Sequence, residues 1–324
     1  MIDFKYHLVS LVSVFMALAI GIVLGAGPLQ DQIGVTLNNQ VEHLRAETDQ
    51  LRAQSLADRS SLESRDQVLA ELTATIVAGQ LAGRQVVVVR LPDAPDEAVT
   101  GIEDALQRAG GTVSGQVDID PAWAEPGQAR KRADAVERIV AITGDRAPGA
   151  AEVNEYLDRQ LAAAVTATSQ RESATQSLHG PQVLKALESA GLLTVSGSPQ
   201  QRATMMVAVD GNRAVERTPA RAQLDERYLA LLRQLCAKGR GGVLAAPERD
   251  EDTTNLLESL RRDDQAGSVI SGVGDADTAV GPIAVVFALA EQGIGETGQY
   301  GSGADADAPF PPVPTTRPGP RDTP

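Results

Sequence analysis

Few residues in this chain are of types that commonly do chemistry, and their spacing brings few of them together. The three histidines, His7, His43 and His179, form no close pair, and the single cysteine, Cys236, has no partner for an intrachain disulfide. Thiolate and thioether sulfur would suit copper(I). Met205 and Met206 are adjacent on an expected strand, so they face opposite sides of it. Cys236 falls on an expected helix with Tyr228, Leu232 and Leu235 on or beside its face, which reads as a buried structural thiol rather than a ligand. Asp275 and Asp277 in GVGDADT could meet a cation, but a turn rich in Asp and Gly needs no metal. Gly293, Gly295 and Gly298 match GxGxxG, yet they follow an expected helix and lead toward the C-terminus. A phosphate cradle needs a strand before the glycines and a helix after them. The first expected strand ends in Arg90-Leu91-Pro92-Asp93, with no glycine loop and with Asp96 and Glu97 nearby. No GxSxG, Walker A, HExxH or CxxC occurs. The chain is therefore read as a non-enzyme, with no catalytic residue, no bound cofactor and metal ligands unknown.

Composition narrows the partners. The chain has 324 residues, and 29 Lys and Arg stand against 43 Asp and Glu, a formal charge of −14. Nucleic acid needs clustered Lys and Arg, and no basic stripe is present. Aromatic residues make up only 3% of the chain, so stacking platforms for bases or sugars are not expected.

The elements that would position any function begin with LVSLVSVFMALAIGIVLGAG, Leu8 to Gly27, which carries no charge. A spanning helix needs about 20 apolar residues, whereas a signal peptide's apolar region has about 7–15. A cut after Gly27 would leave Pro28 behind it, and a cut after Ala26 would leave Leu24 at the third position before it. Residues 1–33 are read as a retained transmembrane anchor rather than a cleaved signal. Gly21 and Gly25 form a GxxxG, a spacing that lets two helices approach closely in lipid, although glycine is common in membrane helices. Lys5 lies on the N-terminal side and no Lys or Arg follows until Arg45, which places the N-terminus in the cytoplasm and the bulk of the chain outside it.

Residues 34–80 are expected to form a coiled-coil stalk. Leu37, Val41, Leu44, Leu51, Leu62, Leu69, Leu72 and Ile76 fall on an a/d heptad frame, Arg45, Arg52 and Arg59 repeat at e, and Glu47 sits at g. Ser55, Asp58 and Arg65 interrupt the frame, so a single amphipathic helix packed on the following domain is the alternative. A helix over this stretch would reach about 70 Å at about 1.5 Å per residue. Residues 84–303 alternate strand and helix patterns. VVVV at Val86–Val89 reads as a strand buried on both faces, Asp96–Ala109 as a helix, and Thr112–Ile119 as a second strand. Later helices are expected at Ala151–Ala167, Pro181–Ala190, Asp225–Lys238, Asp252–Arg262 and Ile283–Gln292. Later strands are expected at Leu192–Val195, Thr204–Val209, Gly242–Ala246 and Ser268–Ser271. The fold class is thus α/β, with a three-layer, mostly parallel domain. The Pro-rich residues 304–324 are expected to be disordered.

Three stretches also carry a resemblance. MIDFKYHLVSLVSVFMALAIGIVLGAGPL, VVVVRLPDA with AGGTVSGQVDI, and GQYGSG together resemble the actinobacterial MctB family, the mycobacterial copper transport protein B group. The resemblance implies an actinobacterial envelope protein of copper transport or homeostasis, with copper as the transported ion, and the family has been described as an outer-membrane channel former. An outer-membrane barrel needs many alternating strands of about 9–11 residues, and one helix per subunit lines no channel without oligomerising. Two functions stand beside each other. One is a copper-transport component, either an oligomeric channel part or an accessory to a pore. The other is a dimeric scaffold that regulates an envelope partner in cell-wall remodelling or division. A homodimer or higher oligomer through stalk and anchor, a membrane and an envelope protein are the expected partners, without nucleic acid. An extracytoplasmic enzyme on an α/β scaffold is a third and weaker reading.

Overall fold

The computed structural model describes residues 3–25, 28–173, 177–197, 201–215, 218–249 and 252–313. The chain divides into two compact units, Met1–Arg65 and Asp66–Pro324. The first holds helix α1 (Asp3–Gly25) and most of helix α2 (Pro28–Ile76). Within α1, Phe4–Gly25 is long and apolar enough to cross a membrane, and none of it is buried within the chain.

The second unit begins inside α2 because the last turns of that helix change what they face. Leu69 is half-buried, Thr73 and Val77 are buried, and Val77 belongs to a core cluster that also holds Leu81 and Ile102. The last turns of the expected stalk, from Asp66 on, thus belong to the second unit. Its upper residues Val41, Leu44, Leu51 and Leu62 are all exposed, and the Leu37 side chain lies outside what the structure describes.

The head continues as β1 (Gln85–Arg90), α3 (Asp96–Arg108), β2 (Thr112–Ile119), α4 (Ala129–Thr143), α5 (Val153–Val165), the single turn α6 (Gln170–Ser173) and α7 (Gly180–Ser189). It then runs through β3 (Leu193–Ser196), β4 (Met205–Val209), β5 (Arg213–Ala214), α8 (Pro219–Lys238), β6 (Gly242–Ala245) and β7 (Thr253–Thr254). It closes with α9 (Leu256–Arg262), the short α10 (Asp264–Gly267), β8 (Ser271–Val273), α11 (Val280–Gln292) and β9 (Gln299–Tyr300). Seven strands form one open sheet in the order β3-β2-β1-β4-β6-β8-β9, and β5 and β7 form a separate antiparallel pair. Every neighbouring pair in the large sheet is parallel except β2 with β3. The architecture is mixed α/β with a mostly parallel sheet.

The branched run in β1 has the expected consequence. Val87 and Val89 enter a cluster with Leu157, Leu187 and Leu232 from α5, α7 and α8, while Val86 and Val88 enter a second cluster with Ile102 and Val285 from α3 and α11. Alternate side chains of one strand thus feed two cores. Met206 and Met205 divide in the same way. Helix α4 was not anticipated. One of its four inward positions is Arg132, which blurs the apolar period, and the Arg132 guanidinium spends its donors on the carbonyls of Ala122 and Glu125 at 2.8 and 2.7 Å.

Both sheet edges are occupied. The outer N–H of Val195 on β3 donates to the Glu188 carboxylate at 3.1 Å. At the other edge Ala308 bridges to Tyr300, the Asp307 N–H donates to the Gln299 carbonyl at 2.7 Å, and Phe310 packs edge-on against Phe287 with ring centres 5.6 Å apart. Disorder expected from residue 304 is therefore corrected for 304–313, because an apolar ring and an unfilled strand edge draw this segment onto the head. Residues 314–324 lie outside the described residues.

Candidate functional site

In open parallel sheets, ligands bind at the carboxyl ends of the strands, where the order reverses. Here that switch point lies between β1 and β4, because the chain runs from β1 to β2 on one side and later reaches β4 on the other. The crevice is filled by the chain itself. Asp210 follows β4 and is buried, and its carboxylate accepts the Leu256 N–H at the start of α9 at 2.7 Å. Arg213 reaches Asp210 at 3.0 Å, Asp225 at 3.0 Å and Asp93 at 3.3 Å. Arg221 adds a second cation on Asp225 at 2.9 Å, and the Ser259 hydroxyl donates to the same carboxylate at 2.9 Å. Burial pushes the Asp210 carboxyl above its ordinary value, against the opposing pull of Arg213 and the Leu256 N–H. Asn212 and Asn255 close the floor through their 2.7 Å side-chain bond and their bonds to the carbonyls of Glu248 and Pro247. Gly211 allows this closure, since a Cβ there would collide with the Asp93 carbonyl oxygen.

Farther along the same edge, GVGDADT and GQYGSG meet. Asp275 has φ of 57°, and its carboxylate accepts both the N–H and the hydroxyl of Ser302 at 2.8 Å. Arg261 donates to the Tyr300 carbonyl at 2.8 Å and lies 3.9 Å from Glu248, which accepts the Gly303 N–H at 3.2 Å. These glycines are close-approach positions: a Cβ on Gly301 would lie 3.0 Å from the Cα of Gly274. Asp275 is thus engaged as a clasp, and Asp277 stands exposed. Gly293, Gly295 and Gly298 lie between α11 and β9, outside any strand-to-helix turn.

On the helix side, Trp123 donates its indole N–H to Asp158 at 3.2 Å, and Arg227 grips the same carboxylate at 2.5 and 2.7 Å. The guanidinium also lies 5.7 Å from the Trp123 ring centre. Burial raises the Asp158 carboxyl against the pull of this fork. These residues are far apart in sequence, and no local motif announces them.

The soft donors are placed but not assembled. Cys236 is buried with Tyr228, Leu232 and Leu235 on α8, and burial pushes its thiol up to about 12. A Cβ on Gly242 would lie 2.5 Å from Cys236 Sγ and 2.7 Å from Met206 Cε, so the two sulfur side chains crowd one spot. Such a thiol is buried and stays protonated, which does not fit an exchangeable copper ligand. His7 and His43 are exposed on α1 and α2, and His179 is half-buried ahead of α7. Among the described residues no three His, Cys, Asp or Glu side chains gather as a metal site. Gly21 and Gly25 have nothing within 4 Å of an added Cβ, so that stripe is open within the chain.

A whole-chain likeness completes the picture. Residues 1–311 match the family described as "Copper transport outer membrane protein, MctB". This chain belongs to the MctB family. It is 28% identical over 317 residues to the "Copper transporter MctB" of Mycobacterium tuberculosis strain H37Rv, covering 94% of this chain and 98% of that protein. It is 26% identical over 319 residues to the "Copper transporter MctB" of Mycobacterium leprae, again covering 94% and 98%. The match runs over nearly the whole length of the chain and of those relatives. Family and relatives' names indicate copper transport, and the N-terminal apolar helix fits association with a membrane.

Proposed function

We propose that this MctB-family chain is a single-pass, non-enzymatic component of copper transport in the cell envelope, acting through a partner rather than as a pore of its own. The observation that carries this reading is the order of parts: one spanning-length helix, a long exposed helix and an α/β head whose sheet is flanked by two separate cores. The helix groups on each face of the sheet support a three-layer head. Lys5 ahead of the apolar helix supports a cytoplasmic N-terminus with the head on the other side. Copper enters as cargo, on the strength of the relatives' names. The family's description, an outer-membrane protein, supports an envelope location.

The stalk supports a parallel homodimer. Val41, Leu44, Leu51 and Leu62 are exposed along one heptad seam, and each g residue Gln40, Glu47 and Gln54 stands five positions before Arg45, Arg52 and Arg59. At the head end Leu72 and Ile76 remain exposed while Leu69 and Thr73 turn inward, so head and second helix occupy different flanks of α2. The filled switch-point crevice favours a second reading, a scaffold that regulates an envelope partner in wall remodelling or division. Elemental analysis of cellular copper tests the first reading, in a deletion strain across a copper series. Excess copper reversed by the intact gene, but not by one lacking residues 84–313, supports it. Unchanged copper refutes it and leaves the scaffold.

A further inference from the structure

The end of the sheet where the strands begin, opposite the filled crevice, holds two cations without a counter-charge. Arg84 stands just before β1 and Arg240 two residues ahead of β6, with β4 between those strands. Thr204 ties their backbones together: its N–H donates to the Gln85 carbonyl at 3.0 Å, and its own carbonyl accepts the Arg240 N–H at 2.7 Å. The end of α11 lies against both. A Cβ on Gly293 would lie 3.6 Å from Arg84 Nη2, and a Cβ on Gly241, next to Arg240, would lie 2.8 Å from the Gln292 Cβ. Arg84 is half-buried and Arg240 is exposed. Among the described residues neither guanidinium makes an ion pair or a side-chain hydrogen bond. Burial and the Arg240 charge both lower the Arg84 guanidinium. Glu291, at the same end of α11, is buried and accepts the Tyr300 hydroxyl instead. Elsewhere the head answers its inward guanidiniums with carboxylates: Arg202 with Glu172, Arg213 with Asp210, Arg227 with Asp158. The C-terminus of α11 offers Arg84 about half a negative charge, short of the two that the pair of arginines carries.

We propose that Arg84 and Arg240 form a binding site for a doubly charged oxyanion, the chemistry of a phosphate monoester, at the end of α11 between the starts of β1 and β6. Guanidinium forks match phosphate oxygens in pairs. A dianion balances both cations, where a single carboxylate would leave one over. Gly293 keeps the approach to Arg84 clear of a side chain. Ile294, which follows it, is 63% exposed and gives an apolar surface beside the anion for an organic group carried on the phosphate. The site lies in the head alone and stands apart from both the copper reading and the stalk dimer.

The test is urea unfolding of the full chain in mild detergent at low salt, followed by Trp123 fluorescence. Inorganic phosphate, phenyl phosphate or, at matched ionic strength, sodium chloride is added, at a pH above the second phosphate pKa of about 6. A ligand that binds the folded chain raises the midpoint and saturates. Exclusion of phosphate from protein surfaces stabilises any folded chain, but it does not saturate and does not depend on one arginine. Both phosphates therefore raise the midpoint of the unsubstituted chain saturably, and sodium chloride does not. Arg240→Gln moves the half-saturating concentration up about tenfold or more, the size of one charge-assisted bond. Arg84→Gln does the same, and if that half-buried change prevents folding, the exposed Arg240 position decides. A lower half-saturating concentration for phenyl phosphate assigns an organic ester, and equal values assign the free ion. A non-saturating rise that is the same with and without Arg240 overturns the site. So does a lower midpoint of Arg240→Gln in the absence of phosphate, because removing an unanswered charge relieves repulsion and leaves stability equal or higher.

Discussion

Removing the Asp158 carboxylate should unfold the head well before any surface change does. Asp158 holds Arg227 through two bonds of 2.5 and 2.7 Å and accepts the Trp123 indole N–H at 3.2 Å. The two charged side chains are only 3% and 9% exposed. Asp158→Ala would therefore strand a guanidinium in a dry site, where breaking a buried pair costs about 3–5 kcal/mol. Arg132 makes the loss worse. Its guanidinium is lowered by burial and by Arg227 itself, so with Asp158 gone the repulsion between these two cations loses the carboxylate bonded to Arg227. A loss of this size is a large part of the roughly 5–15 kcal/mol that holds an ordinary domain together. The assay is built into the chain, since Trp123 is its one tryptophan and sits inside the perturbed cluster. Urea unfolding of the full chain in mild detergent, followed by tryptophan fluorescence, should show the loss in midpoint at unchanged slope. Asp158→Leu with Arg227→Met should recover most of it, because replacing both partners removes the desolvation cost along with the attraction. A loss below about 1 kcal/mol for Asp158→Ala would refute the reasoning, as would a double variant no more stable than the single one.

Three further outcomes follow from other parts of the head. The Glu172 carboxyl is held down to about 2 by the hydroxyl and N–H of Thr168, with Arg202 also bonded to it. A depressed folded value means its contribution is full above the ordinary carboxyl value and is lost as pH falls toward about 2. Glu172→Gln should thus lower stability near neutral pH and flatten the acid limb of a pH–stability curve; parallel curves would refute this. Gly211→Ala forces a Cβ into the Asp93 carbonyl, so it should cost roughly 3 kcal/mol or more in the same urea assay, and a neutral result would mean the crevice is loose. Cys236, buried and pushed up to about 12, should resist iodoacetamide in the folded chain and react once urea unfolds it; rapid labelling of folded protein, read by mass spectrometry, would contradict its burial.

How much was legible in the sequence depended on whether the signal was local. The uncharged run Leu8–Gly27, the branched run Val86–Val89 and the strand Thr112–Ile119 announce themselves within a single element; the structure has a helix over the first as far as Gly25, with Ala26 and Gly27 outside the described residues, and strands at the other two. The strand expected at Ser268–Ser271 instead starts at Ser271 and runs to Val273. Ser268 caps α10 and Ile270 is a core residue of the turn between them, so a short apolar run alone did not set the boundary. Helix α4 escaped notice because Arg132 occupies an inward position, a solution visible only once the carbonyls of Ala122 and Glu125 are in place. The strap at 304–313 was hidden by composition: Pro-rich sequence reads as disorder, while Phe310 finds Phe287 and Ala308 finds Tyr300 only in three dimensions. The charged networks were least legible, since Asp210, Arg213 and Asp225 acquire meaning only where β4, α8 and α9 converge.

That convergence bears on what the head is for. A doubly wound sheet offers one favoured crevice, and here Arg213 stands in it with carboxylates on three sides. A guanidinium so placed satisfies the charges that would otherwise attract a cation, and the bond from Leu256 to Asp210 anchors α9 across the opening. A groove of about 330 Å³ lies beyond β1 and β2, where Asp118, Asp120 and Glu188 line the wall, but Gln116, the Ala122 N–H and the Val195 N–H already draw on those three carboxylates. Self-occupied sites of this kind favour recognition by outer surfaces over recognition by a pocket. The stalk, with its exposed seam and alternating charges, is the surface best specified by the sequence, so the proposed copper role passes through what α2 assembles rather than through an ion held in the head.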